Sequence, residues 1–284
     1  MSGMHNEAMA NSLPHIAWLR KSSTALATKE GKQVLVFELK VESQNETALD
    51  AWAKHFREHY CLDSQIDMYR KGTGKSKREY LMDLMFPDAT DDFGPATRSG
   101  DFAEILVSDL LHGRYGYLVP RTRYGTKTVK NESTKGSDVI GLKLKNGDPD
   151  LYSPKDVLIA FETKAQLRSK PPKNRLQDAV DDSSKDKLRL AESLNAMNRR
   201  LIDLNKYSEA GVVQRFQEPI GRPFIRRSGA AAVYCSSLYL PATVAQTDCS
   251  DHENHHELRL LVIHAEDMMG LVHALYQRAA NEAE

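Results

Sequence analysis

Hydrophobic positions along this chain recur with two periods, and the switches between them outline its elements. Lys32 to Val41 (KQVLVFELKV) alternates as a half-buried strand does, while Glu46 to Tyr60 places Leu49, Trp52, Ala53, Phe56 and Tyr60 on one helical face. Met1 to about Gly31 is mixed and predicts an irregular lead-in, and a second helix is expected from about Ser76 to Phe86, stopped by Pro87. Asp88 to Ser99 is acidic, contains Gly94-Pro95, and predicts a linker. Ser99 or Asp101 then caps a helix running to Leu111, with Phe102, Ala103, Leu106 and Leu110 on its apolar face and Gly113 as its stop. Tyr115 to Tyr124 predicts a strand with a proline at an edge or bulge.

Between Gly136 and Gln166 two short apolar runs rich in β-branched residues flank Asn146-Gly147-Asp148-Pro149-Asp150, which predicts a hairpin. Asn174 opens a long helical stretch to about Tyr207, with Leu190, Leu194, Met197, Leu201 and Leu204 spaced as a packing seam. Ser208 to Ser228 is loop-like. Gly229 to Leu240 and Leu258 to His264 predict strands, and Ala265 to Ala280 a closing helix. The expectation is an α/β chain divided into an N-terminal α/β region over residues 1–95, with exposed-looking loops suited to a partner, and a second domain over residues 96–284.

The formal net charge is zero, so any nucleic-acid site has to be a local patch rather than a property of the whole surface. No apolar run is long enough to span a bilayer and the N-terminus lacks a signal-peptide core, so a cytoplasmic location is expected. Cys61, Cys235 and Cys249 are too few and too scattered for a disulfide framework.

The chemistry concentrates in the hairpin. Glu162 and Lys164 are two apart on a strand and so project from one face, while Phe161 and Thr163 point the other way. They could form a surface ion pair of little consequence. They directly follow Val157-Leu158-Ile159-Ala160-Phe161, however, a run of the kind buried on both faces, where charge is costly unless something such as a metal uses it. Asp138 sits at the start of the first strand, and Glu104 borders the apolar face of the preceding helix, where alone it would read as a solvated flank residue.

Basic residues flank these acids. Arg121, Arg123, Lys127, Lys130 and Lys135 on one side and Arg168 and Lys170 on the other form the local patch that the balanced total charge conceals, and they suit a phosphate backbone. Two other signals are weak. Gly72-Thr73-Gly74-Lys75-Ser76 has Tyr69 where a phosphate-binding loop needs its first glycine, so a flexible basic loop is expected. Thr247 to Glu257, with Cys249, His252, His255 and His256, has a zinc-like composition without matched ligand pairs and reads as a polar surface loop.

The order acid-bearing helix, Asp138 strand, Glu162-Thr163-Lys164 strand and following helix resembles the PD-(D/E)xK nuclease superfamily, with Ser137 in place of the proline of the name motif. That resemblance implies a restriction-endonuclease-like core, a mixed sheet flanked by helices, with an N-terminal α/β extension. It implies that Asp138, Glu162 and the Thr163 carbonyl, with Glu104 less centrally, hold Mg²⁺ (Mn²⁺ substituting). Lys164 would then orient or help deprotonate water, and Gln166 would hydrogen-bond the site.

A narrower likeness lies in Ser99-Gly100-Asp101-Phe102-Ala103-Glu104-Ile105-Leu106, Gly136-Ser137-Asp138, Phe161-Glu162-Thr163-Lys164 and Leu190-Ala191-Glu192-Ser193-Leu194-Asn195. These phrases resemble the HamA family, the nuclease subunit of Hachiman anti-phage defence. What this likeness implies is a metal-dependent DNA endonuclease of little sequence specificity, restrained by an ATP-dependent partner helicase, HamB. The competing expectations are a restriction- or repair-type nuclease acting alone, and a nuclease-like module serving mainly to bind a partner.

Overall fold

The computed structural model describes residues 13–91, 93–168 and 171–284. Its described strands are β1 (Leu19–Lys21), β2 (Leu26–Ala27), β3 (Gln33–Leu39), β4 (Val139–Lys143), β5 (Val157–Gln166), β6 (Ile225–Cys235) and β7 (Leu258–Ala265), joined in one seven-stranded sheet. The order is β1-β3-β7-β6-β5-β4, with β2 also pairing β3. The four middle strands, β3, β7, β6 and β5, are mutually parallel, and the outer pairings of β1, β2 and β4 are antiparallel. A mixed sheet of this kind needs both faces of its parallel centre covered, which is why β5 to β7 read as apolar runs rather than as alternation.

One face is covered by α1 (Glu46–Arg57), α4 (Gly94–Tyr115) and α9 (Met268–Asn281). Trp52, Phe56, Phe102, Leu106, Leu110, Val272 and Tyr276 from these helices pack on Phe37, Phe161, Val233 and Ile263 of the sheet. The opposite face carries two smaller cores. One gathers Leu176, Ala179 and Val180 of α5 (Arg175–Ser183) over Ala230, Ala232, Tyr234 and Val262; the other gathers Leu190, Leu194, Met197 and Leu201 of α6 (Asp186–Asp203) and Val213 of α7 (Tyr207–Arg215) over Ile140, Leu142, Leu158 and Ala160.

The expected boundary near residue 95 falls inside this arrangement. β3 lies against β7 in parallel register from Val34–Leu260 to Glu38–His264, and α1 packs in the same core as α4 and α9. The N-terminal strands thus extend the sheet formed by the rest of the chain.

Several elements depart from the sequence expectation. The acid-bearing helix begins at Gly94, not at Ser99, because Pro95 sits in its first turn, where the missing N–H has no intrahelical partner to lose. It also runs past Gly113. An added Cβ at Gly113 would lie 2.8 Å from the Ile16 side chain, so this glycine marks close packing within the helix, while Gly116 at φ 66° is the left-handed cap. Tyr115 to Tyr124 forms no strand; Leu118 alone bridges to Leu142. Of the expected irregular lead-in, residues 1–12 lie outside the described residues, and the remainder forms a short turn over Pro14–Trp18 and then β1 and β2. The long helical stretch divides into α5 and α6, and the supposed loop after it starts with α7.

Short helices α2 (Asp63–Arg70) and α3 (Lys77–Tyr80) flank the Gly72–Ser76 turn. There Gly72 and Gly74 have positive φ, Ser76 caps α3 and Lys75 pairs with Asp83 at 2.7 Å. Helix α8 (Pro241–Val244) precedes the Cys249 loop, which is not wholly a surface feature. Cys249 is buried in the α5 core, and His252 is buried between Ser183 and Asn254.

Candidate active site at the end of strand β5

Antiparallel pairing of β4 with β5 sets Val139 opposite Phe161, so Asp138 lies one residue beyond the paired strand, beside Glu162 and Thr163. The Asp138 carboxylate is anchored there by the Thr163 backbone N–H, which donates to Oδ2 at 2.9 Å. Alternation places Glu162 and Lys164 on the face of Leu158 and Ala160, and the Lys164 ammonium donates to Glu162 Oε1 at 2.8 Å. Phe161 faces the opposite core, as expected.

Helix α5 supplies a residue that the sequence argument missed. Asp182 Oδ2 lies 2.7 Å from Lys164 Nζ, so the lysine is held between two carboxylates. Burial alone would lower the Lys164 pKa, but its hydrogen bonds to Asp182 and Glu162 outweigh that and push it above the usual lysine range. Lys164 is therefore a fixed cation at neutral pH in this state, suited to orienting and charge compensation and not to taking a proton. The only sequence signal for Asp182 was an acid on the helix directly following the strand.

Glu104 reaches the same place from α4. Its Oε2 accepts from the Tyr124 hydroxyl at 2.6 Å and lies 3.1 Å from an Arg123 Nη2, which is also 3.4 Å from Asp138 Oδ1. Burial, and then the negative charges of Glu104 and Glu162, push the Asp138 carboxyl well above the usual range, against the opposing pull of Arg123 and the Thr163 N–H. Three carboxylates thus line one cleft, with Arg123 between Glu104 and Asp138 and Lys164 on Glu162. Gln166 is buried on the same strand but spends its amide elsewhere: Nε2 donates to the Pro171 carbonyl at 2.9 Å and Oε1 accepts from Lys173 N–H at 3.0 Å. It fastens the segment leading into α5.

A cleft of about 840 Å³ opens over Glu104, Asp138, Glu162 and Lys164. Its rim includes Lys135, Arg168 and, from the far wall, Arg175 and Arg189.

The expected basic patch divides on folding. Arg123 and Lys127 turn inward: Arg123 bridges the acids and also donates to the Ser137 carbonyl, and Lys127, its side chain 4% exposed, pairs with buried Asp101 at 2.5 Å. Neither is a free surface cation, because burying those acids required a partner for each. Lys130 pairs with Asp88, and Arg121 lies 3.3 Å from Glu58. Lys135 and Arg168 remain exposed at the cleft, and Lys170 lies outside the described residues. Arg189, which the sequence reading passed over, joins them.

The donor set suits a hard divalent cation. It consists of carboxylate oxygens on residues that line the cleft. Glu104, Asp138 and Glu162 do not, however, bring their oxygens within 4.8 Å of one another; among the described residues the group that meets that spacing is His55, His59 and Asp109.

An acid–x–lysine strand beside a second acid, at the end of a mixed sheet flanked by helices, defines an α/β protein with a nuclease-like core. The HamA family model matches residues 14–279, and the chain belongs to the HamA family. Membership makes it a component of Hachiman antiviral defence. A comparison with curated proteins finds no match. Among the described residues no helix is long and apolar enough to cross a membrane.

Proposed function

We propose that this chain is the Mg²⁺-dependent DNA endonuclease of its defence complex, cutting phosphodiester bonds with little sequence specificity under the control of a partner helicase. The observation that carries the reading is the convergence of Glu104, Asp138 and Glu162 with the doubly held Lys164 at the floor of a cleft rimmed by Lys135, Arg168 and Arg189. Asp138, Glu162, the Thr163 carbonyl and Glu104 would hold Mg²⁺ or Mn²⁺. A bound ion there supplies an activated water and compensation for charge building on phosphorus.

The chain's own groups prepare the rest. The Thr163 N–H fixes one Asp138 oxygen, and the Arg123 guanidinium, which also reaches Glu104, lies beside the other. Lys164, kept protonated by Asp182 and Glu162, offers its remaining N–H to a water or a phosphate oxygen. The rim cations contact the backbone rather than base edges, which accounts for little sequence preference. Control by a helicase is supported by membership in the HamA family.

The test is plasmid cleavage by the chain alone and with its helicase subunit, in Mg²⁺ or EDTA, beside Glu162→Gln and Lys164→Met. Loss of a preorganised charged group of this kind lowers the rate about 10²–10³-fold. Nicking that persists in EDTA or in Glu162→Gln sinks the assignment, and full activity without the helicase favours a nuclease acting alone. The reading as a partner-binding module draws on Arg123, which already compensates Glu104 and Asp138 as an ion-pair network. Absence of any Mg²⁺ or Mn²⁺ binding that depends on Asp138 would favour it.

A further inference from the structure

Away from the cleft floor, three histidines from two N-terminal elements surround one buried carboxylate on α4. His15 Nε2 lies 2.9 Å from Asp109 Oδ2, and His55 Nε2 lies 2.6 Å from Asp109 Oδ1. His59, one helical turn beyond His55, brings its own Nε2 to 3.4 Å from His55 Nε2 and 3.9 Å from Asp109 Oδ1.

Hydrogen bonding alone accounts poorly for His59. An ionised Asp109 only accepts, so His15 and His55 each direct an N–H at it. If His59 Nε2 carries a proton, its carboxylate acceptor is 3.9 Å away, beyond a hydrogen bond. If it carries a lone pair, it faces a carboxylate and an N–H already committed. A tetrahedral zinc with bonds of about 2.0–2.1 Å spaces its ligand atoms about 3.3 Å apart. The three separations here, 2.6, 3.4 and 3.9 Å, average to about that edge, and small side-chain adjustments equalise them.

We propose that His55 Nε2, His59 Nε2 and Asp109 Oδ1 form a zinc site that clamps the N-terminal elements to the acid-bearing helix. Two imidazoles and one carboxylate select a borderline cation such as Zn²⁺ over the hard Mg²⁺ suited to the all-oxygen set at Glu162. His15, stacked on Trp52 with ring centroids 4.7 Å apart, holds the second Asp109 oxygen and so orients the first. His59 also lines a cleft of about 350 Å³ with Ser108 and Tyr124, which brings open space to one of the three ligands. Asp109 is five residues along α4 from Glu104, so an ion here fixes the helix that presents Glu104. The proposal is independent of the nuclease reading.

The experiment uses the full untagged chain, stripped with a chelator and dialysed. It is titrated with Zn²⁺ and Co²⁺ and followed by metal analysis, visible absorption and thermal unfolding. The expected result is one equivalent of Zn²⁺ per chain, an intense four-coordinate Co²⁺ spectrum and a higher unfolding midpoint. His59→Gln and Asp109→Asn should weaken binding by at least about tenfold, whereas Glu162→Gln leaves it unchanged. No saturable Zn²⁺ binding by the wild-type chain, a weak octahedral Co²⁺ spectrum, or unaltered affinity in folded His59→Gln would overturn it. Should both variants fail to fold, the wild-type Co²⁺ spectrum decides.

Discussion

Gly229→Ala offers a direct test of how the sheet holds the site. Gly229 lies opposite Phe161 in the parallel β5–β6 register, and a Cβ there would sit 2.5 Å from three atoms of the Phe161 ring. Comfortable carbon contact is about 3.5–4.0 Å, so the ring has to retreat by about an ångström. It is 4% exposed and enclosed by the α4-side core, so the shift has to be absorbed by a close-packed interior. Overpacking of this kind costs about 1–3 kcal/mol. The displacement also reaches the adjacent Glu162, so activity should fall along with stability. Urea unfolding followed by circular dichroism measures the cost. Phe161→Ala in the same background removes Cγ and the ring, and with them the clash, so the double-mutant cycle should show a compensating coupling of at least about 0.5 kcal/mol. A Gly229→Ala protein as stable as wild type, or strictly additive effects, would refute the reasoning.

Arg215, wholly buried, sits 2.9 Å from Asp156 and donates to the carbonyls of Ser153 and Arg222; Arg215→Met should destabilise by about 3–5 kcal/mol because Asp156 is left buried without its counter-ion, as thermal or urea unfolding would report. Asp182→Asn removes one of the two acids that keep Lys164 charged, so the Lys164 pKa should fall, readable by NMR of the side-chain ammonium, with a smaller loss of cleavage than in Lys164→Met. In the loop before β7, His252 Nδ1 accepts from the Asn254 N–H, so Nε2 carries the proton and donates to Ser183; burial then holds its pKa below the ordinary 6.5. For a histidine with a lowered folded pKa the unfolded chain binds the proton more readily, so its contribution is intact above about pH 6.5 and is lost as pH falls below it. Stability measured across that window should decline less steeply in His252→Gln; an unchanged slope would exclude His252 as the cause.

Asp138, Glu162 and Lys164 were legible from the amino-acid sequence because their arrangement is local. Alternation on a strand fixes which side chains share a face, and a β-branched apolar run announces the buried strand that carries them. The hairpin, the N-cap at Asn174 and the closing β7–α9 pair were likewise written in nearby residues. What the tertiary structure alone decided were pairings between distant positions. Whether Lys127 is a surface cation or a buried partner depends on Asp101, and whether Lys164 is a base or a fixed charge depends on Asp182. Gly113 looks like a helix stop until Ile16 is seen packed against it. The histidines around Asp109 come from positions up to 94 residues away, so no spacing rule could have gathered them. Period and propensity act over a few residues. Charge compensation and close packing act over a few ångströms, and only the folded sheet brings those two scales together.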